Sequence, residues 1–170
     1  MNRSFILYLV VILLVSLDCR AQVGEKVSSV NITNADNQAV GIPYLGEKNL
    51  LIFYADPGRP RQNKTFRDYF KTHPINSPNI ESYGIVNMAA APMLPNSLIR
   101  KMAVKETQGT DGKVYFDANG VLAKDWKLPD ADNNFAVLFI NKNREIEFYK
   151  AGQLTTDDQN KVLALIKKYE

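Results

Sequence analysis

The sequence predicts one α/β domain built on a mixed β-sheet. Two continuous apolar runs, Asn49 to Tyr54 (NLLIFY) and Phe135 to Ile140 (FAVLFI), are typical of central strands that are buried on both faces. Helical patterns alternate with strand patterns along the chain, which is the order expected when helices cover a sheet. Of the 170 residues, 45% are hydrophobic and 23% are charged. These values fit a single globular domain of ordinary size.

Residues 27–44 are predicted to form an N-terminal β-hairpin. The stretch 27–33 alternates loosely between apolar and polar residues, and the stretch 38–44 is expected to pair back on it. The sequence Asn34-Ala35-Asp36-Asn37 between them is a turn signal, because Asn and Asp side chains hydrogen-bond to nearby backbone groups.

A strand, a loop and a helix follow the hairpin. The strand at 49–54 leads into the sequence Asp56-Pro57-Gly58-Arg59-Pro60-Arg61, which must be a loop because its prolines and glycine interrupt any regular element. The helix after this loop ends at Pro74. The i, i+3, i+4 and i+7 spacing predicts one apolar helical face made of Phe66, Tyr69, Phe70 and His73.

The middle of the chain is predicted to alternate strands with helices. Its strands are expected at 82–88 and 113–116, and a helix capped by Ser97 lies between them. The residues that this helix is expected to bury are Leu98, Ile99 and Met102. One or two helical turns follow at 121–126.

The last part of the chain predicts two strands and a helix. After the strand at 135–140, Ile146 and Phe148 alternate with glutamates, as expected of an antiparallel strand with one wet face. Either Thr155 or Thr156 caps the final helix, which has acidic residues in its first turn and lysines in its last. Its predicted buried residues are Val162, Leu165, Ile166 and Tyr169.

The first 21 residues are predicted to be a secretory signal peptide. Phe5 to Leu17 is an apolar run that suits the core of such a signal and is short for a membrane span. Cleavage after Ala21 would leave a domain of residues 22–170, in the periplasm or the cell envelope. Two alternatives stay open: a retained N-terminal anchor, and a lipoprotein anchored through Cys19.

The cysteine count limits the chemistry of the exported form. Cys19 is the single cysteine of the chain, and cleavage after Ala21 would remove it. Thiol–disulfide exchange and thiol peroxidase reactions both require a thiolate. A net charge of only +3 also disfavours a nucleic-acid-binding protein. We therefore favour a role without catalysis and assign no catalytic residue.

Several motifs resemble those of the thioredoxin superfamily. Redoxins of this type carry Phe-Trp-Ala and then Cys-x-x-Cys after the central strand. The matching stretch here is Phe53 to Arg61 (FYADPGRPR), in which Gly58 and Arg61 stand at the two cysteine positions. More closely, the chain is similar to the YtfJ family of exported thioredoxin-like proteins. The stretches that carry this similarity are 83–87, 115–120, 126–128 and 150–155.

This resemblance implies a thioredoxin-like fold, with a central mixed β-sheet flanked by helices and an N-terminal β-hairpin. The loop Asp56-Pro57-Gly58-Arg59-Pro60-Arg61 would be a degenerate redox motif, and Asn134 and Phe135 would occupy the position of the loop that carries a cis-proline in redoxins. The YtfJ family also lacks the cysteine pair, and it implies no established reaction.

The degenerate loop is the candidate binding site. A loop between the carboxyl end of a strand and a helix N-terminus favours an anion, and Gly58, Arg59 and Arg61 are its candidate residues. The alternative is that Pro57 and Pro60 merely stiffen a turn and both arginines are solvated. We interpret Asp56 as a residue that braces the loop, and the single histidine, His73, as a packed or edge residue. No metal or cofactor is predicted.

Two function classes follow. The first is a non-catalytic binding module that uses the degenerate groove to hold an envelope protein or a small anionic ligand. The second is a redox- or peroxide-related role as partner or regulator of a thiol protein.

Overall fold

A seven-stranded mixed sheet organises the part of the chain that the structure, a computed structural model, describes: residues 22–110 and 112–170. The predicted signal peptide and Cys19 lie outside these residues. The strands are β1 Ile32–Thr33, β2 Ala39–Val40, β3 Asn49–Ala55, β4 Ile80–Asn87, β5 Lys113–Asp117, β6 Ala136–Ile140 and β7 Ile146–Ala151. The α-helices are α1 Lys64–Thr72, α2 Asn96–Thr107, α3 Val121–Asp125 and α4 Thr156–Tyr169, and a short 3-10 helix covers Met88–Ala90.

The strand order is β2-β1-β5-β4-β3-β6-β7. Strands β3, β4 and β5 are parallel to one another, whereas β6 runs antiparallel to β3 and β7 antiparallel to β6. The two apolar runs are therefore neighbours at the centre of the sheet, with Ile52 opposite Leu138, as the sequence predicts. The thioredoxin-like arrangement of a hairpin, a βαβ unit and a closing ββα unit is confirmed.

The two faces of the sheet are covered by different elements. Because side chains alternate along a strand, Ile52 and Tyr54 of β3 pack on one face with Leu122 of α3 and with Trp126. Leu51 points to the other face, where α1 and α4 pack. Helix α2 covers β4 and β5 on this second face, through Ile99.

The N-terminal hairpin is shorter than the sequence predicts. Strands β1 and β2 have two residues each, and Ile32 pairs with Val40. The turn between them lies where it was expected, with Asn37 at a φ of 63°. Most of the predicted strand at 27–33 is irregular, although Val27 and Val30 are buried in the core.

One predicted helix cap and parts of two predicted helix faces are wrong. Ser97 does not cap α2, because the helix begins at Asn96 and Pro95 is its N-terminal boundary residue. Leu98 and Met102 are 44% and 57% exposed, since α2 packs on the sheet through Ile99 and the partly buried Ala103 and Val104. In α1, Phe66 is buried and Phe70 partly so, but Tyr69 and His73 lie outside the core.

The last helix follows its prediction closely. Thr155 is the N-cap of α4, and a reciprocal pair of hydrogen bonds joins it to Asp158. Val162 and Ile166 are buried against the sheet. None of the helices among the described residues has both the length and the apolar character needed to cross a membrane.

Candidate functional site

The loop between β3 and α1 is braced by its own acidic residue. Asp56 is buried at 6% exposure, and its Oδ1 accepts a hydrogen bond of 2.7 Å from the backbone N–H of Gly58. The backbone carbonyl of Asp56 accepts a second bond from the N–H of Arg59, at 3.0 Å. The buried Asp56 therefore stabilises one conformation of the loop through its side chain and its backbone carbonyl.

The backbone donors of the loop are largely used within the protein. Helix α1 begins at Lys64, three residues beyond Arg61. The N–H of Gln62 donates to the carbonyl of Arg59, and the N–H of Lys64 donates to the carbonyl of Arg61. Within the loop itself, the N–H groups of Gly58 and Arg59 are bonded, and the two prolines have none. The donors that the loop presents are therefore mainly the side chains of Arg59 and Arg61.

The two arginines differ in their surroundings. Both are exposed, and Arg59 Nε donates to the backbone carbonyl of Asn133 at 3.3 Å. The terminal nitrogens of the Arg59 guanidinium make no hydrogen bond to the described residues. Arg61 lies at the surface beside it in the chain. The anion site at Gly58, Arg59 and Arg61 stays a prediction.

Gln62 connects the loop to the residues that precede β6. Its Oε1 accepts a hydrogen bond of 2.7 Å from the backbone N–H of Phe135, and its Nε2 donates to Asn134 Oδ1 at 3.2 Å. Phe135 is 1% exposed, so this N–H has no access to solvent. The structure therefore brings the predicted loop and the Asn134–Phe135 segment together, and Gln62 closes the space between them.

Asn63 connects the start of α1 to the turn after β7. It is buried, with a left-handed φ of 56°, a conformation that asparagine tolerates better than most residues. Its Nδ2 donates to the carbonyl of Gly152, and its Oδ1 accepts from the N–H of Leu154, both at 2.8 Å. These bonds fix the helix start against the turn after β7. Sequence reasoning missed both Gln62 and Asn63.

A buried polar pair lies near the end of β3, on the face of the sheet that α3 covers. The hydroxyl of Tyr54 donates to Asp117 Oδ2 at 2.9 Å, and both residues are buried. Asp117 also accepts bonds from the backbone N–H groups of Val121 and Leu122, which start α3. Burial and the charge of Asp117 raise the pKa of Tyr54, so the phenol remains a hydrogen-bond donor. The pair is structural.

His73 does not belong to this site. It follows the last residue of α1, at the end of the helix opposite to the loop, and it is exposed. Its ring stacks on Tyr69 with 4.2 Å between centroids, and Nδ1 lies 3.1 Å from the carbonyl of Tyr69.

A cavity of about 850 Å³ adjoins the loop on the face covered by α1 and α2. Pro60 of the loop and the Phe135 side chain form part of its wall, and Arg67 of α1 lines it beside them. Arg67 Nη2 donates to the carbonyl of Pro60 at 2.7 Å, and the guanidinium carbon lies 5.0 Å from the centroid of the Phe135 ring. Sequence reasoning did not single out Arg67, which has no motif around it.

Comparison with known proteins identifies the family and the fold of the chain. Residues 60–169 match the family described as "bacterial protein of unknown function (YtfJ_HI0045)". No curated protein matches the chain.

Similar solved structures include a peroxiredoxin-like protein from Aquifex aeolicus, with 11% identity, a TM-score of 0.63 and coverage of 87% of each chain. An exposed lipoprotein thioredoxin from Streptococcus pneumoniae matches with 10% identity and a TM-score of 0.61, over 83% of this chain and 99% of that chain. The thioredoxin domain of a thiol-disulfide oxidoreductase from Bacteroides vulgatus matches with 12% identity and a TM-score of 0.58, over 85% and 97%. These likenesses confirm the thioredoxin-like fold.

Proposed function

Because this chain belongs to the YtfJ family and has a thioredoxin-like fold with a single cysteine, we propose that it is exported and acts as a binding module rather than as a redox enzyme. The observation that carries the proposal is the internal closure of the loop at the degenerate motif. By the resemblance, Gly58 and Arg61 stand at the cysteine positions of redoxins. Asp56 accepts a hydrogen bond from the loop, and the neighbouring Gln62 accepts one from the backbone N–H of Phe135.

The closed loop supports binding for a physical reason. A surface whose backbone is already fixed loses little conformational entropy when a partner docks. Arg59 and Arg61 project from this rigid loop, and a guanidinium recognises carboxylate or phosphate groups through paired hydrogen bonds. The ligand of this surface is accordingly a small anion, or an acidic patch on an envelope protein.

The absence of redox chemistry is tested on the purified mature domain, residues 22–170. Insulin reduction and peroxide consumption are measured, with a thioredoxin and a peroxiredoxin assayed in parallel as positive controls. We expect both rates to equal the background without protein, because each reaction begins with a thiolate. Clear turnover in either assay would refute the binding-only role.

The binding surface is tested by calorimetry with inorganic phosphate and citrate. We expect the Arg59→Ala, Arg61→Ala double variant to lose the heat of binding. The matched control is Lys161→Ala with Lys167→Ala, which removes two exposed positive charges from α4, away from the loop. Equal loss in both double variants would mean that general charge, not the loop, attracts the anion.

Export and partners are tested in cells. Fractionation with mass spectrometry of the N-terminus determines whether the chain is cut after Ala21 or before Cys19. Crosslinking in the envelope fraction then identifies bound proteins, and a partner that carries reactive thiols would support the alternative role as a regulator of thiol chemistry.

A further inference from the structure

The cavity between α1 and α2 exists because the strand beneath it carries small residues. Ser82 and Gly84 of β4 face this side of the sheet, opposite Leu51 and Phe53 of β3. Neither residue is large enough to fill the space between the helices. The resulting volume of about 850 Å³ lies within the range of small-molecule sites, which is roughly 300–1,000 Å³.

The backbone does not require glycine at position 84. Its φ lies outside the left-handed region, and the atoms nearest to an added Cβ would be the carbonyl oxygens of Phe53 and Lys113 and Val114 Cγ2, at 3.8–3.9 Å. These are ordinary contact distances, so a side chain would fit. Glycine inside a strand weakens it relative to alanine. The open floor therefore follows from the residue at position 84 and not from a requirement of the backbone.

Arg67 gives the cavity a positively charged end that is incompletely paired. Its Nη1 lies 3.5 Å from Glu106 Oε2, and that carboxylate is 65% exposed. Its Nε is buried and has no hydrogen-bond partner among the described residues. Buried donors in native proteins are normally satisfied, so an orphaned one needs an explanation. A carboxylate in the cavity would bond to the terminal nitrogens of this guanidinium, not to the buried Nε, and would displace the weakly held Glu106.

The charges around the cavity also favour an anion. Lys64 and Lys71 lie on the same helix as Arg67, and the single carboxylate between them, Asp68, bonds to both. Helix α1 therefore presents three cations against one anion. At the far side of the cavity, Glu81 is held by Lys113 and by Lys48. Glu106 is the remaining acidic side chain that lines the cavity.

Apolar side chains share the remaining lining with the hydroxyls of Ser77, Ser82, Thr107 and Thr110, and an exposed apolar row lies on α2 outside the cavity. Aromatic and branched side chains form the walls, among them Phe53, Phe70, Ile75 and Val86. Met102 and Leu98 lie one and two turns before Glu106, respectively, on the same row of α2, and both are exposed. An apolar strip of this kind suits a long flexible chain better than a compact polar molecule.

We propose that this cavity binds an anionic amphiphile with one linear hydrocarbon chain, of which a long-chain fatty acid is the simplest. The carboxylate pairs with the Arg67 guanidinium, and the chain lies over the floor made by Ser82 and Gly84. This site goes beyond the proposed role of the loop, because the cavity holds its ligand whether or not Arg59 and Arg61 bind an anion.

The test measures laurate binding to the mature domain by calorimetry, at concentrations below micelle formation. Dodecanol is the uncharged counterpart, and acetate supplies the carboxylate without the chain. We expect laurate to bind, dodecanol to bind more weakly, and acetate not to bind. Arg67→Gln is expected to weaken laurate binding about tenfold and to leave dodecanol binding unchanged, because a hydrogen bond to a charged group contributes about that factor.

A floor variant separates cavity binding from surface binding. Gly84→Leu fills the cavity from β4 and is expected to abolish binding of both laurate and dodecanol, while unfolding at the same or a higher urea concentration than the wild type. Ser82→Leu blocks the same floor if Gly84→Leu does not fold. Lys161→Ala is the surface control and should bind laurate normally.

Failure of this inference is distinguishable from failure of the proposed function. Equal laurate binding by the wild type and folded Gly84→Leu, or no laurate binding at all, overturns the cavity site. Phosphate or citrate binding that depends on Arg59 and Arg61 would persist in either case. Thiol turnover by the purified domain would instead overturn the proposed function and leave the laurate result untouched.

Discussion

Replacing Gln62 should open the candidate site and destabilise the domain by a calculable amount. In Gln62→Ala, the N–H of Phe135 loses its 2.7 Å bond, and because Phe135 is 1% exposed in the wild type, water can reach this N–H only through the gap that the deleted side chain leaves. An unsatisfied buried donor costs roughly 1–3 kcal/mol. The 3.2 Å bond to Asn134 is partly buried and adds less. We expect the free energy of unfolding to fall by about 2 kcal/mol in total.

The measurement is urea unfolding followed by the fluorescence of Trp126, the single tryptophan, which is buried. Hydrogen exchange should show faster exchange of the Phe135 amide in the variant. Gln159→Ala is the matched control, since that side chain on α4 makes no hydrogen bond to the described residues. A loss below about 0.5 kcal/mol in Gln62→Ala, with the Phe135 amide still protected, would refute the closure of the loop by Gln62.

Three further predictions concern the core around the site. Asp117→Ala leaves three donors unpaired and should lower the free energy of unfolding by about 3 kcal/mol or more, against about 1 kcal/mol for Tyr54→Phe, as urea titration would measure. Gly84→Ala should raise the unfolding free energy by roughly 0.5–1 kcal/mol, and a loss would mean that the cavity floor is not open. Burial acts to raise the pKa of Glu81, but hydrogen bonds from Lys113 and Lys48 outweigh it and hold the pKa below its ordinary 4.5. A lowered pKa in the folded state stabilises the protein above pH 4.5, and this is lost as the pH falls below it, so stability should decline more steeply in acid for the wild type than for Glu81→Gln.

The strands at the centre of the sheet could be predicted because their signal is local. A short continuous apolar run such as 49–54 is typical of a strand that is buried on both faces of a sheet, and the run at 135–140 has the same pattern. Capping by Thr155 is equally local, since the reciprocal bonds join residues three positions apart. Each of these features needs only the sequence around it.

The contacts that define the site are not local. The bond between Gln62 and Phe135 joins residues 73 positions apart, and the bonds of Asn63 to Gly152 and Leu154 span 89 and 91. A glutamine or asparagine after a loop carries no pattern that specifies such partners. The predicted burial of Leu98 and Met102 on α2 was wrong for a related reason. The spacing of apolar residues predicts a helix face, but it does not say which neighbouring element covers that face.

The loop and the cavity share a structural element, and this has a thermodynamic consequence. Arg67 donates to the carbonyl of Pro60, so the residue proposed to receive the carboxylate also supports the loop that carries Arg59 and Arg61. A carboxylate that draws the guanidinium into the cavity changes that support. If laurate alters the affinity for phosphate, phosphate must alter the affinity for laurate by the same factor, because coupling between two binding sites is reciprocal. Titrating each ligand in the presence of the other measures this factor twice, and a factor of one in both titrations would mean that Arg67 does not couple the loop to the cavity.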